Sequence, residues 1–248
     1  MEPLIFFAPP EAVSGDVIEL PPSEAHHAAG VLRLKSGAII LVADGSGMAY
    51  RGELRFESKS HATVAIQKRL LNFGEPQLHL TLVAGLSVGY KSDDVVDQAT
   101  QLGIRKFVPV ITEKSRVKLD DPKRIASRTA RLEKVALAAM KQCRRSYRPV
   151  IDAPISLNQY LMTDESDSTK LIFHPSPDAS PILDWPEDRA SKRVIILVGP
   201  EAGFSSNELQ LAVSKGFSPI SLGRRVLRTE LAGPVACALV MERFGELR

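Results

Sequence analysis

The sequence predicts an α/β protein in two parts, a small β-rich module followed by a longer domain built on a parallel sheet. Two textures, and the joint between them, lead to this reading. Residues 31–70 carry short apolar runs punctuated by turn residues, the pattern of strands joined by tight turns. Further on, apolar runs alternate with longer amphipathic stretches, as strands do with the helices that cover both faces of a parallel sheet. Between them Asn72-Phe73-Gly74-Glu75-Pro76 has linker chemistry, which sets the expected domains at residues 1–73 and 74–248.

In the first part the strand-like runs are Val31–Leu34, Ala38–Val42, Ala49–Phe56 and Ala62–Ile66, with Asp44-Gly45-Ser46-Gly47 as a hairpin turn. In the second, Leu78–Leu86, Phe107–Ile111, Lys170–Phe173 and Val194–Val198 read as buried strands. Asp93–Leu102, Pro122–Gln142 and Ser206–Lys215 read as helices. The middle helix is amphipathic: Ile125, Leu132, Val135 and Ala139 recur on one side, and Arg124, Arg128 and Arg131 share another. Pro122 suits its first turn and Asp121 its cap.

The 248 residues carry a net charge of only +3, unevenly placed. From Lys114 to Pro149 twelve Lys and Arg face three acids, a local +9 that leaves −6 for the rest. Such concentration is the footprint of a nucleic-acid binder, or else a solvated helix face. The two cysteines, Cys143 and Cys237, lie far apart, which argues against a disulfide framework or a thiolate zinc site. His26, His27, His61, His79 and His174 show no ligand spacing, so no metal is expected. No apolar run is long enough to span a bilayer and nothing reads as an export signal, so the expectation is a cytoplasmic protein with no membrane partner.

Two segments carry chemistry. In VIILVGPEAGFSSNEL, residues 194–209, an apolar strand enters a glycine-containing loop, and Ser205 with Glu208 forms a capping box for the next helix. Gly199 and Gly203 let backbone approach a ligand, and ligands of open α/β sheets sit at the carboxyl ends of strands. An ordinary strand-to-helix turn has the same spacing. In the second, residues 218–245, a short strand leads into Gly223-Arg224-Arg225-Val226-Leu227-Arg228-Thr229-Glu230 and an apolar helix. Three arginines and a glutamate in one loop either pair internally, with Thr229 capping the helix, or meet an anionic partner.

LVGPEAGFS and LGRRVLRTELA resemble the GPEGG and LGxR(I/V)LRxETA signatures of the SPOUT methyltransferases, specifically the RsmE family of 16S ribosomal RNA uridine-N3 methyltransferases. Further matches follow in the family's order: His26-His27 before Val31-Leu32-Arg33-Leu34, Asp44-Gly45-Ser46-Gly47 with Tyr50, Ala99-Thr100 with Leu102-Gly103-Ile104, Thr112-Glu113-Lys114-Ser115, and Gln142-Cys143 with Arg145. The resemblance covers nearly the whole chain. It departs at Ala202 and Leu231, where the family has glycine and threonine, and at Gln98 and Gln101, where it has Lys and Glu. Alanine resists positive φ, so Ala202 raises an altered loop conformation.

The resemblance implies an N-terminal PUA-like β-barrel, a SPOUT domain with a deep C-terminal trefoil knot, and a homodimer. It implies methylation of N3 of one uridine in 16S ribosomal RNA of the small subunit, with S-adenosyl-L-methionine as cofactor. It places that cofactor among Phe173 and His174, then Leu197, Gly199, Pro200, Glu201 and Gly203, then Leu222, Gly223, Leu227 and Arg228. His26, Arg33, Arg116, Arg144, Arg145 and Arg148 are the expected RNA contacts.

Methyl transfer to uracil N3 is a direct displacement that needs alignment and removal of the N3 proton. Glu201 and Glu230 are the available acids and Arg228 can stabilise the developing anion, so Arg228 and Glu230 are the catalytic candidates. Either acid can instead pair with Arg224, Arg225 or Arg228. A Cys143 thiolate, favoured by Lys141, Arg144 and Arg145, is a lesser alternative. A Rossmann-type enzyme using the Asp44–Gly47 turn and a non-catalytic RNA-binding protein remain as rivals; neither should bind S-adenosylmethionine.

Overall fold

The computed structural model describes residues 3–87, 89, 91–115, 117, 121–163, 167–176, 179–184 and 192–247. It forms two compact units, Met1–Glu75 with Leu137–Arg148, and Pro76–Ala136 with Pro149–Arg248.

The first unit is a six-stranded sheet of β1 (Ile5–Phe7), β2 (Val13–Ser14), β3 (Val17–Glu19), β4 (Ile39–Ala43), β5 (Met48–Phe56) and β6 (Ala62–Leu71), in the order β1-β4-β5-β6-β3-β2. Only β1 and β4 pair parallel. Phe6, Ile18, Leu20, Ile40, Leu54 and Val64 are fully enclosed, each worth about 1.5–3 kcal/mol of apolar burial. The hairpin turn falls where the sequence placed it: Asp44 Oδ1 accepts from the Ser46 and Met48 amides at 2.8 and 3.1 Å. With strands on both sides and no helix after it, this turn is not a nucleotide loop.

Val31–Leu34 is not a strand. After α1 (Pro22–His26), residues His27–Val31 form a π-helical turn, and the Leu34 amide donates back to the Ala28 carbonyl. Leu32 and Leu34 pack on the core from a helix end, which accounts for their apolar character. A boundary at residue 74 also assigns 137–148 to the second domain, whereas these residues fold with the first unit. The Ser146 amide donates to the Phe73 carbonyl, and the Gly47 amide donates to the Ser146 carbonyl.

The second unit runs β7 (His79–Gly85), α2 (Lys91–Gln101), β8 (Lys106–Ile111), α3 (Pro122–Gln142, its last turns in the first unit), β9 (Val150–Ile151), β10 (Ile155–Ser156), α4 (Leu157–Leu161), β11 (Thr169–Phe173), β12 (Ser180–Pro181), β13 (Arg193–Val198), α5 (Ser206–Ser214), β14 (Ser218–Ser221) and α6 (Thr229–Arg243). The strand order is β10-β8-β7-β13-β11-β14-β12, with β9 also on β8, and every pairing among the described residues is parallel. Both faces are covered, as continuous apolar strands require. Alternation along β13 divides the cores: Val194, Ile196 and Val198 pack with α2, α3 and α6, while Ile195 and Leu197 pack with α4 and α5.

The helix starts follow their sequence signals except at α6. Ser205 and Glu208 form the capping box of α5, and Asp121 Oδ1 accepts from the Lys123 amide at 2.9 Å. At α6, Thr229 is the first helical residue and not the cap; Arg228 holds the cap position with no side-chain hydrogen bond.

Candidate active site

Because β11 lies between β13 and β14, the loops leaving the carboxyl ends of these three strands converge. They enclose a cleft of about 380 Å³. Of the expected residues, Phe173, His174, Gly199, Pro200, Glu201, Gly203, Leu222, Gly223, Leu227 and Arg228 all line it. Leu197 does not: it is fully enclosed on the opposite face of β13. Val198 lines the cleft in its place, as strand alternation predicts, and Phe204, Val226 and Thr229 join it without having been anticipated.

Two glycines fix the loop. A Cβ on Gly85, at the end of β7, would lie 2.3 Å from Pro200 Cδ, so only glycine lets the strand approach. Gly203 has φ +67°, while Ala202 is not among the residues of positive φ. The alanine departure therefore leaves the loop without the expected conformational conflict.

Glu201 lines the cleft and Glu230, in the first turn of α6, does not; neither acid pairs with the loop arginines. Among the described residues Arg224, Arg225 and Arg228 make no ion pair with Glu201 or Glu230; both carboxylates turn to Lys91, the first residue of α2. Lys91 Nζ lies 2.7 Å from Glu201 Oε1 and 3.8 Å from Glu230 Oε2. For Glu201, burial pulls the pKa up, but the Lys91 hydrogen bond, a backbone amide, the Lys91 charge and Ser87 outweigh it and hold the carboxyl below its ordinary range. The Glu201 hydrogen bond, opposed by desolvation, pushes the Lys91 pKa up. Glu230 Oε2 is shielded from solvent and accepts no hydrogen bond among the described residues. Lys91 was not a sequence candidate, since its partners lie more than a hundred residues away.

His174 meets the Phe204 ring edge-on, with centroids 6.1 Å apart. Burial, and then the Lys114 charge, push its pKa below the usual value, so the imidazole is neutral at neutral pH. Glu208 ties the neighbouring loops: its oxygens accept from the Glu113 and Ser205 amides at 2.8 and 2.7 Å, and Lys114 Nζ donates to the Phe204 carbonyl at 2.8 Å.

The expected RNA contacts divide. Arg116 lies outside the described residues. His26, Arg33 and Arg148 are exposed on the first unit and Arg144 is half-buried. Arg33 and Arg144 hold positive φ, 52° and 63°. Arg144 does so as the left-handed residue closing α3: its amide donates to the Lys141 carbonyl and that of Arg145 to Met140. Arg145 is the correction. It is 2% exposed and its Nη2 lies 2.8 Å from Glu75 Oε2, so it is enclosed in an ion pair and offers no surface to a phosphate. Much of the basic segment is similarly engaged: Lys141 pairs with Glu24, Arg131 with Asp93, and Arg128 donates to the Ser87 carbonyl. Burial raises the Cys143 pKa, with Arg145 only partly opposing, which disfavours a thiolate nucleophile. Among the described residues no cluster of metal-ligating side chains occurs, and no helix is long and apolar enough to cross a membrane.

A parallel α/β domain whose strand-end loops form a ligand cleft, joined in one chain to a small β unit with exposed basic side chains, defines a two-part enzyme acting on a polyanion. Residues 74–241 match the RNA methyltransferase domain family and residues 20–67 the RNA methyltransferase PUA domain family. The chain is 28% identical over 233 residues to the ribosomal RNA small subunit methyltransferase E of Synechocystis, covering 93% of this chain and 75% of that protein. A crystal structure of ribosomal RNA small subunit methyltransferase E from Neisseria gonorrhoeae bound to S-adenosyl methionine is 30% identical, with TM-score 0.85 and 97% of each chain covered. A putative methyltransferase from Legionella pneumophila, in complex with the same cofactor, is 29% identical with TM-score 0.86, and 98% of each chain is covered. The chain belongs to the RNA methyltransferase family that these relatives represent.

Proposed function

We propose that this chain transfers a methyl group from S-adenosyl-L-methionine to N3 of one uridine in the 16S ribosomal RNA of the small subunit. In this reading it acts in the cytoplasm as a homodimer, with domains meeting near residues 73 and 74 and a C-terminal segment threaded as a trefoil knot. The convergence of three strand-end loops on one cleft is the observation that carries it. The Neisseria and Legionella relatives, whose structures hold S-adenosylmethionine, support the cofactor.

The residues present fit that cofactor. The cleft volume of about 380 Å³ lies within the range of small-molecule sites. Phe173, Leu222 and Leu227 offer apolar walls to a flat ring system, and the Gly199–Gly203 backbone offers polar groups at close range. When bound, S-adenosylmethionine supplies an electrophilic methyl group. The chain's own tasks are then to orient the uracil and remove its N3 proton. Glu230, with an unsatisfied carboxylate oxygen, is the proposed base, and Arg228 at the lip of the cleft stabilises the anion that forms. His26, Arg33, Arg116, Arg144 and Arg148 are the proposed RNA contacts.

Calorimetric titration with S-adenosylmethionine, followed by methyl counting on unmodified small-subunit RNA, tests the reading. Micromolar or tighter binding with one methyl per RNA is expected; absence of binding would return the chain to a non-catalytic RNA-binding role.

A further inference from the structure

We infer that Lys123, Arg124 and Arg128, on one stripe of α3, form a subsite for backbone phosphates of the substrate RNA, anchoring the strand on the second unit. The inference rests on the reading that the chain acts on RNA. The stripe faces a cavity of about 420 Å³ whose charged lining is Lys123, Arg124, Arg128 and Arg131 of α3 and Asp93 of α2. Helix geometry explains the convergence, since side chains three, four and seven residues apart share a face. At 1.5 Å per residue, Arg124 to Arg131 spans about 10 Å, longer than a single phosphate group and suited to successive phosphates of a chain.

The acids within reach do not cancel these charges. Asp93 Oδ2 is taken by Arg131, at 2.6 Å from Nη2 and 2.7 Å from Nε. Asp121 Oδ2 lies 3.5 Å from Arg124 Nε, and with that side chain 85% exposed the pair contributes little. Among the described residues Lys123 and Arg128 make no salt bridge. Arg128 is half-buried and bonded to neutral acceptors, the Ser87 carbonyl and, at 3.3 Å, the Ser92 hydroxyl, both through Nη2. A guanidinium carries five N–H donors in a planar fork, so Nε and Nη1 remain for a ligand, and neither is closed off from solvent. Burial pulls the Arg128 pKa down; Asp93 opposes this, and the Arg131 charge adds to the fall. Like charges three and four residues apart also work against the helix, a cost that an anion between them removes.

Arg128 also ties this cavity to the catalytic loops. The Ser87 carbonyl holds its Nη2, and the Ser87 side chain hydrogen-bonds the Glu201 carboxylate on the wall of the cofactor cleft. A phosphate held on Arg128 is therefore fixed one residue away from that wall. Backbone contacts of this kind set the register in which a strand lies and leave the identity of the base to other groups. The exposed His26, Arg33 and Arg148 belong to the first unit, so this subsite gives the second unit its own hold on the RNA.

Salt-dependent binding of unmodified small-subunit RNA to the full-length protein tests this, with cofactor calorimetry and melting temperature read on the same preparations. Lys123→Gln with Arg124→Gln removes two exposed charges, and Lys192→Gln with Lys215→Gln is the charge-matched control outside the cavity. Losing two phosphate contacts should flatten the slope of log affinity against log salt by about 1.4–1.8, which at about 0.15 M salt is about ten- to thirtyfold weaker binding. Cofactor affinity and melting temperature should stay at wild-type values, and the control pair should lose less than about threefold in RNA affinity. Arg128→Lys keeps the charge and loses the fork, so RNA affinity should fall by about threefold or more at an unchanged slope. A Lys123→Gln, Arg124→Gln variant with the wild-type slope, or one no weaker than the control pair, overturns the inference; so does Arg128→Lys at wild-type RNA affinity. Inorganic phosphate titrated into wild type separates the sources of the anion. Binding weaker than about 1 mM is expected, and tighter binding that the double variant loses while its RNA slope is unmoved would make this a free-anion site instead. Wild type that binds no RNA brings down the functional reading and this inference together; RNA binding by wild type and variants alike brings down the inference alone.

Discussion

Replacing Arg145 by alanine separates two roles that look the same in a basic sequence. In the first unit its Nη2 and Nε lie 2.8 and 3.2 Å from Glu75 Oε2, with side chains 3% and 0% exposed. Truncation leaves the Glu75 carboxylate enclosed, with the Tyr147 amide at 2.7 Å as a surviving donor. Removing one partner of a buried pair typically costs about 3–5 kcal/mol, because the remaining charge keeps its desolvation penalty. At about 1.4 kcal/mol per tenfold, core amides such as those of Val42, Leu54 and Val64 should lose a hundredfold to a few thousandfold of their native-state exchange protection. Arg148→Ala, on the surface, should stay within about 0.5 kcal/mol of wild type. A joint replacement, Arg145→Met with Glu75→Leu, should regain most of the loss. If Arg145→Ala costs less than about 1 kcal/mol and instead flattens the salt dependence of RNA binding, the guanidinium faces RNA and the assignment is wrong.

Gly203→Val forces a β-branched residue into φ +67°, and a left-handed penalty of about 1–2 kcal/mol corresponds to a five- to thirtyfold weaker cofactor in calorimetry; unaltered affinity in a folded variant removes the loop from the site. Glu230→Gln should lower single-turnover methylation by about a hundredfold with cofactor binding intact, and a retained rate with a lower melting temperature would pass attention to Glu201. His174 has a folded pKa below its usual 6.5, so its contribution to stability is complete above that value and is lost as pH falls beneath it toward the folded pKa. Wild type should lose melting temperature more steeply in that window than His174→Gln, and cofactor affinity should fall with it as an imidazolium comes to oppose the sulfonium; parallel melting profiles would contradict this.

The second unit was the more legible half, because its signals are local. Asp121, Pro122 and the apolar spacing to Ala139 gave the α3 limits as observed, and Ser205 with Glu208 marked the start of α5. The four parallel strands read as apolar runs because both faces of their sheet are covered. In the first unit β1, β2, β3 and α1 were not anticipated: they are two to five residues long, broken by Pro9, Pro10, Pro21 and Pro22, and too short to show a period. Val31–Leu34 misled because an apolar run packed from a helix end looks the same as a strand. In the site, ten of the eleven expected cofactor positions line one cleft, since the loops follow strand ends. What the sequence hid was pairing: Lys91 with Glu201 spans 110 positions and Arg145 with Glu75 spans 70, and neither spacing leaves a local trace.

Mass analysis of nucleosides from unmodified small-subunit RNA, incubated with the purified protein and S-adenosylmethionine, tests the central claim most directly. One methyl group per RNA, recovered as N3-methyluridine, is the expected result. Recovery of no methylated nucleoside, or of a methyl group on any other atom, would contradict it.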